Sequence, residues 1–573
     1  MVSKLYAEVG RVKAYKQNLD SNLLPVSCTI CVPRWDENFY SATMYLVEYA
    51  IESLRAGVGV NVHLDYFESL MGIEDSPKIE YILSPIHVDS GKWTGKLAND
   101  TVAYCIKDSI SGDYGIIDAL KELIYIYSLS SNQPNQVIFD FSQLREEGND
   151  NGKGMVASGP ESFKFIFTQL QNFLEEPGMP NLLKLISSFN QEIRRGGTFK
   201  NGAITTSLPW YHVLAYQYIK MDKAEHPWLK KSVSVTGDFL KNENIIYLIE
   251  EGINDGSLWI EKILRNDGTY VMTSDEALSL EEWERIRHNV CREILINDGQ
   301  TCTLGHVNYG QCFRPDILED AYVVSMDELI SNHLINAPGR HPSELYMDRI
   351  DDMQVGLGII GLANMLGMHG ITYLEFMNEL KSFIDYNGEH IKNLCNDSAA
   401  LLTDNCFIVS KKSTARLYVL HLAKGIIKAA RMAKAAGMVR AFCIAPTANS
   451  SFKHFDAKGK TTAPNISAPL GKITERISTT GSTELVDYGN VEVASQVGFD
   501  TYAELVNQFQ RLFNLTGLAH SISFDIWADI DEEWLEWWSE SYIRATYYRV
   551  RVEQDFLDKS NAFAGRLNCA CGG

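Results

Sequence analysis

The chain has 573 residues, 45% hydrophobic and 22% charged, enough to bury a large core. Its 73 acidic against 52 basic residues give a formal charge of −21, which disfavours nucleic acid and anionic membrane surfaces as partners. The N-terminal stretch lacks an apolar signal region and no run approaches the roughly 20 apolar residues of a membrane span, so the expected location is the cytoplasm.

Residues 38–56 place apolar side chains at helical spacing, and the first 97 residues read as a mainly helical region. From residue 98 to about 210, short apolar runs such as VIFDF (Val137 to Phe141) alternate with amphipathic stretches such as ESFKFIFTQLQNFLEE, the signature of an α/β fold. The alternation continues through residues 283–296, a long helical pattern at 416–438 and AFCIAP as a short strand. After residue 550 small and polar residues dominate, and 551–573 reads as a flexible tail.

Eleven scattered cysteines in a chain without a secretion signal argue against a disulfide framework, and most are expected to pack as small hydrophobes. Cys569 and Cys571 differ, because two thiols beside Ala570, Gly572 and Gly573 on a tail suit thiol–disulfide exchange, which needs three sulfurs in line. Without an adjacent histidine or a second cysteine pair they make a poor zinc site, and no resident metal is expected.

In RHNVCREILINDGQTCTLGHVN, the residues Asn289, Cys291 and Glu293 recur at every other position. On an extended segment an amide, a thiol and a carboxylate would then share one face. Pro446, Thr447, Ala448, Asn449, Ser450 and Ser451 follow an apolar strand, where hydroxyls, an amide and backbone N–H groups at a helix start suit a phosphate. An ordinary helix cap is the alternative. Gly356-Leu357-Gly358-Ile359-Ile360-Gly361 satisfies G-x-G-x-x-G, but MDRIDDMQ before it is no buried strand, which argues against a nicotinamide dehydrogenase and for close helix packing. An acidic, non-enzymatic assembly subunit is the remaining rival.

NVCRE followed by CTLGHVN resembles the large, catalytic subunit of ribonucleotide reductases. Five further segments fall in that family's order: DTVAYCIKDSI, FDFSQLREEG with SGPESFKF, NQEIRRGGTFKNGAITTSLPWYH, DDMQVGLGIIGLANML as a helical segment, and IAPTANSSF. The resemblance runs from about Val102 to the last residue. It implies a ten-stranded α/β barrel of two five-stranded halves over residues 98–550, with Cys291 on an inner finger loop.

The resemblance also implies the roles. Cys291 would carry a thiyl radical that removes the 3′-hydrogen of a ribonucleotide, Glu293 would act on the 3′-hydroxyl as base, and Asn289 would orient hydroxyls. Cys105 and Cys302 would supply two electrons as they form a disulfide, and Cys569 and Cys571 would reduce it before thioredoxin or glutaredoxin restores them. Tyr547 and Tyr548 in SYIRATYYRVR resemble the class I pair that relays a radical from a ferritin-like, metal-containing β subunit; dependence on adenosylcobalamin is the alternative.

Asp108, Arg145, Gln191, Arg194 and Arg195 are candidates for a dNTP or ATP specificity site, and a homodimer is expected. Too little sequence precedes Cys105 for an ATP-binding regulatory module as well as the core helices, so general shutdown by dATP is not expected. Such compactness fits a phage genome, in which case the compartment is the host cytoplasm.

Overall fold

A computed structural model describes residues 2–9, 12–13, 16, 26–70, 76–83, 94–97, 101–110, 114–129, 133–149, 157–193, 202–301, 303–335, 345–408, 413–477 and 483–549. Its contacts divide the chain into two compact units, Thr29–Ser234 and the remainder, Met1–Cys28 with Val235–Gly573. Neither unit ends at residue 97. The described residues before 98 carry one long helix, Phe39–Arg55, among several strands.

In the larger unit a five-stranded sheet runs in the order Tyr6–Glu8, Leu304–Asn308, Gln354–Ile360, Arg440–Ile444, Ala519–Ile522. The first pairing is antiparallel and the others are parallel. Parallel strands covered on both faces need continuous apolar sequence. Gln354–Ile360 is accordingly buried at all seven positions.

The G-x-G-x-x-G residues therefore form a strand and its exit, not a helix. Added β-carbons at Gly356 and Gly358 would stand 2.6 Å from Leu304 Cδ2 and 2.9 Å from His306 Nδ1, which is why both positions are glycine. Gly361 takes φ 76° and starts the helix Leu362–His369. A dinucleotide fingerprint needs its glycines in a turn after the strand, and here two of the three lie inside it.

Helices enter where caps and patterning direct them. Ser413 caps Thr414–Ala435 through Arg416 N–H and Thr372 caps Tyr373–Asn396 through Glu375 N–H. Thr414–Ala435 packs against both Pro315–Ile335 and Tyr373–Asn396, and Phe499–Leu515 packs on the latter. Side chains on these helices, such as Leu329, Ile426, Phe383 and Phe509, are fully buried.

In the smaller unit Lys230–Val235, Ile204–Pro209, Gly59–His63 and Cys28–Cys31 are successive strands of one sheet, their end residues Val235 and Cys28 counting with the larger unit. A second sheet orders Lys78–Ile82, Gln136–Asp140, Thr101–Cys105 and Thr94–Leu97. Asn38 caps Phe39–Arg55 by accepting from Ser41 N–H, and Pro160–Glu175 and Met179–Glu192 pack together.

Among the described residues the sheets are open and none closes on itself, so the closed ten-stranded barrel is not observed. The α/β class with parallel sheets is. No helix among the described residues is long and apolar enough to cross a membrane.

Candidate active site

Arg285–His288 pairs antiparallel with Leu295–Ile296, so residues 289–294 form the loop of a tight hairpin instead of an extended segment. Asn289 builds that loop from both its backbone and its side chain. Its N–H donates to Ile294 O at 3.0 Å, its carbonyl accepts from Arg292 N–H at 3.2 Å, and its Oδ1 accepts from Ile294 N–H at 3.1 Å. Arg292 closes the turn at φ 66°, a left-handed conformation that costs a non-glycine residue roughly 1–2 kcal/mol.

Other elements lock the loop from outside. Ser521 N–H donates to Glu293 O at 2.8 Å, and Ser523 Oγ donates to Cys291 O. Leu295 N–H donates to His520 Nδ1 at 3.1 Å while His520 Nε2 donates to Val355 O at 3.1 Å. That pattern requires a neutral imidazole, and burial indeed pushes the His520 pKa well down.

The strand Leu258–Lys262 supplies the last support. Its period of two puts Trp259 and Glu261 on one face, where Arg292 Nη1 donates to Glu261 Oε2 at 2.5 Å and the guanidinium lies 5.5 Å from the Trp259 ring centre. His288 Nδ1 stands 3.7 Å from the same carboxylate.

Asn289, Cys291 and Glu293 are all 0% exposed. One further thiol joins them: Cys28, Cys291 and Glu293 present ligand atoms that lie within 4.8 Å of one another. The sequence reading missed Cys28. It sits in the apolar run VSCTICVP, where a cysteine reads as one more packed hydrophobe, and only its proximity to Cys291 distinguishes it. Asn289 Nδ2 is buried with no hydrogen-bond partner among the described residues, a donor left for a ligand.

Cys105, the expected electron donor, is on Thr101–Cys105 of the smaller unit. There it faces Asp140 in the strand register, and burial first, then the Asp140 carboxylate, push its thiol pKa up. A thiolate is therefore less favoured at Cys105 than in water. Cys302, Cys569 and Cys571 lie outside the described residues.

Tyr547 and Tyr548 fall on Thr546–Arg549, which pairs parallel with Phe524–Ile526. The half-buried Tyr547 ring lies 5.0 Å from Trp259, which also neighbours Arg292. The Tyr548 side chain lies outside the described residues. Arg544 donates to His520 O at 2.8 Å and so ties the approach to this strand to the strand behind the hairpin loop.

Residues 446–451 do follow a strand, Arg440–Ile444, and start a single turn, Ala448–Ser451. Thr447 Oγ1 accepts from Asn465 N–H at 2.7 Å and Ser451 Oγ donates to Ala448 O at 2.9 Å, so both hydroxyls serve the loop itself. Pro446 is half-buried, Ser450 buried and Ala448 exposed, and the Asn449 side chain lies outside the described residues. Of the effector candidates, Asp108 and Arg145 form an ion pair, Gln191 is the penultimate residue of the helix Met179–Glu192, and Arg194 and Arg195 lie outside the described residues.

No family model and no curated relative matches the sequence. Among solved structures the chain is similar to a B12-dependent (class II) ribonucleotide reductase, with a TM-score of 0.53 and 13% identity over 95% of this chain and 82% of that one. It also aligns with the Actinobacillus ureae class Id ribonucleotide reductase alpha subunit at a TM-score of 0.38 and 14% identity, covering 80% of this chain and 85% of that one. The first likeness establishes a shared fold; the second is too distant to carry weight.

Proposed function

We propose that the chain is the catalytic subunit of a ribonucleotide reductase, with Cys291 as its radical-bearing residue. The observation that carries this is the buried cluster of Cys28, Cys291 and Glu293 on a hairpin loop whose carbonyls are held from outside. Replacing a ribose 2′-hydroxyl by hydrogen asks for a hydrogen-abstracting group, a base and a thiol reductant within reach of one sugar, and these three residues supply one of each.

In the proposed reaction a Cys291 thiyl takes the 3′-hydrogen and becomes a thiol. Glu293 accepts the 3′-hydroxyl proton, and the unpartnered Asn289 Nδ2 donates to a sugar oxygen. The 2′-hydroxyl then leaves as water, with a proton from Cys28 in the place first assigned to Cys105. Oxidation of two thiols to a disulfide supplies the two electrons, the hydrogen of the second thiol goes to C2′, Glu293 returns its proton to the 3′-oxygen, and Cys291 returns the hydrogen to C3′. Cys302 is the second thiol of this reading, and Cys569 and Cys571 its source of reducing equivalents through thioredoxin or glutaredoxin.

The diphosphate is the proposed substrate form, held at residues 446–451. Asp108, Arg145, Gln191, Arg194 and Arg195 are the proposed contacts for a nucleotide effector, and the chain is read as a homodimer. For the radical source, contact of Tyr547 with Trp259 beside Arg292 favours a tyrosine relay from a metal-containing partner subunit. Adenosylcobalamin is the second reading, favoured by the reported use of B12 in the solved structure of similar fold.

The decisive experiment incubates the reduced full chain with each ribonucleoside diphosphate and triphosphate, and either a ferritin-like partner subunit or adenosylcobalamin. Deoxynucleotide formation that Cys291→Ala abolishes is expected. Turnover that survives Cys291→Ala overturns the reading, as does the absence of turnover with either radical source; activity with cobalamin alone overturns the tyrosine relay.

A further inference from the structure

We infer that Cys28, Cys291 and Glu293 also form a binding site for a thiophilic divalent cation of the zinc and cadmium class, and that its occupation silences Cys291. Two sulfurs and a carboxylate oxygen lie within 4.8 Å of one another, all on buried residues. A tetrahedral ion with metal–sulfur bonds of about 2.3 Å holds two sulfurs roughly 3.8 Å apart, so only small side-chain adjustments separate the observed cluster from a coordination site. Three protein ligands leave a fourth position for water, the composition of an open zinc site.

The donor set selects the ion. Two thiolates favour zinc or cadmium over magnesium or calcium, which take oxygen ligands. The site is also preorganised, because the loop bearing Cys291 and Glu293 is fixed by Ser521, Ser523, His520 and the Glu261–Arg292 pair before any ion arrives. Binding is a proton exchange without electron transfer: Cys28 and Cys291 each lose a proton to solvent and each thiolate gives an electron pair to the metal. A coordinated Cys291 can neither become a free thiyl nor return a hydrogen atom, and both thiols are shielded from oxidation until the ion is removed. The site stands on its geometry alone; only the silencing rests on the reductase reading.

The test uses the full chain with Cys569→Ser and Cys571→Ser, which removes the tail thiols as competing ligands. The protein is reduced, freed of metal with a chelator, and titrated with cadmium while thiolate-to-metal charge-transfer absorption is followed. One ion per chain with two thiolates is expected. Cys28→Ala and Cys291→Ala should each halve the absorption and weaken binding by about 100-fold, whereas Glu293→Gln should weaken it by about 10-fold with the absorption retained.

Cadmium X-ray absorption on the protein with both active-site cysteines intact provides a reading that needs no further variant, and a ligand shell without sulfur overturns the proposal. Unchanged affinity in both Cys28→Ala and Cys291→Ala does so too. If the metal-free wild-type chain, with Cys569 and Cys571 intact, makes no deoxynucleotide, the reductase reading fails while the cadmium titration still decides the site. If it does make deoxynucleotide, zinc should stop the reaction and chelator restore it, and full activity of zinc-saturated protein overturns the silencing.

Discussion

The Arg292 guanidinium, carried by a residue at φ 66° between Cys291 and Glu293, donates to the Glu261 carboxylate at 2.5 Å, with both side chains buried. The pair opposes the backbone cost of the left-handed turn and so fixes where the two flanking side chains point. Breaking a buried pair from one side leaves an uncompensated charge and typically costs about 3–5 kcal/mol. Glu261→Ala is therefore expected to destabilise the fold by that order in urea unfolding. Glu261→Gln, which retains an acceptor, should cost less and lower kcat more than it raises KM. An unchanged kcat in Glu261→Gln would remove the positioning role.

Gly356 couples the central sheet to the same loop. A β-carbon there would meet Ile294 Cδ1 at 2.8 Å, Cys443 Sγ at 2.7 Å and Leu304 Cδ2 at 2.6 Å. Overpacking of this kind costs about 1–3 kcal/mol. Gly356→Ala should therefore lower both stability and turnover, since Ile294 anchors the loop through Asn289. Adding Cys443→Ala clears one of the three contacts and should recover part of both losses; a strictly additive double mutant would show that the Cys443 contact is not the cause.

The two candidate electron donors make opposite predictions. Cys105→Ala removes one buried sulfur in the smaller unit and should cost about 1 kcal/mol with turnover preserved. Cys28→Ala should leave the fold intact and end multiple turnover with thioredoxin as reductant. A reversed outcome, with Cys105 essential and Cys28 dispensable, would restore the original assignment of the reducing thiol.

Asp525 lies opposite Tyr548 in the strand register, and burial raises its pKa to about 7. An acid whose folded pKa lies above its unfolded value contributes stability that is complete below about pH 4 and lost as pH rises through about 7. Wild-type stability should fall across that window. Asp525→Asn should flatten the fall, leaving the variant the more stable protein at pH 8 by an amount on the order of 4 kcal/mol at most. Urea denaturation at pH 5 and pH 8 measures this, and parallel losses in both proteins would exclude Asp525 as the source.

Local patterning carried much of the secondary structure. Asn38 at a cap and apolar residues every third or fourth position gave Phe39–Arg55, and VIFDF and AFCIAP became strands within two residues of their expected limits. Patterning failed at residues 351–366, because a parallel strand buried on both faces and a buried helix are both continuously apolar, and the glycines that mark the strand are explained only by Leu304, His306 and Cys443 beside them. It failed again at residues 289–293, where alternate spacing suggested a strand, whereas Arg292 at positive φ makes a turn.

By itself, then, the sequence determined which residues could do chemistry near Cys291, because Asn289 and Glu293 are its neighbours in the chain and any local conformation keeps them close. Tertiary structure alone decided the second thiol. Cys28 and Cys105 both sit in short apolar runs that no local rule separates; the first is brought to Cys291 by contacts between distant segments, and the second is packed against Asp140 in another unit. Proximity between residues far apart in the chain depends on how the sheets and helices pack together, and patterning along the chain does not specify that packing.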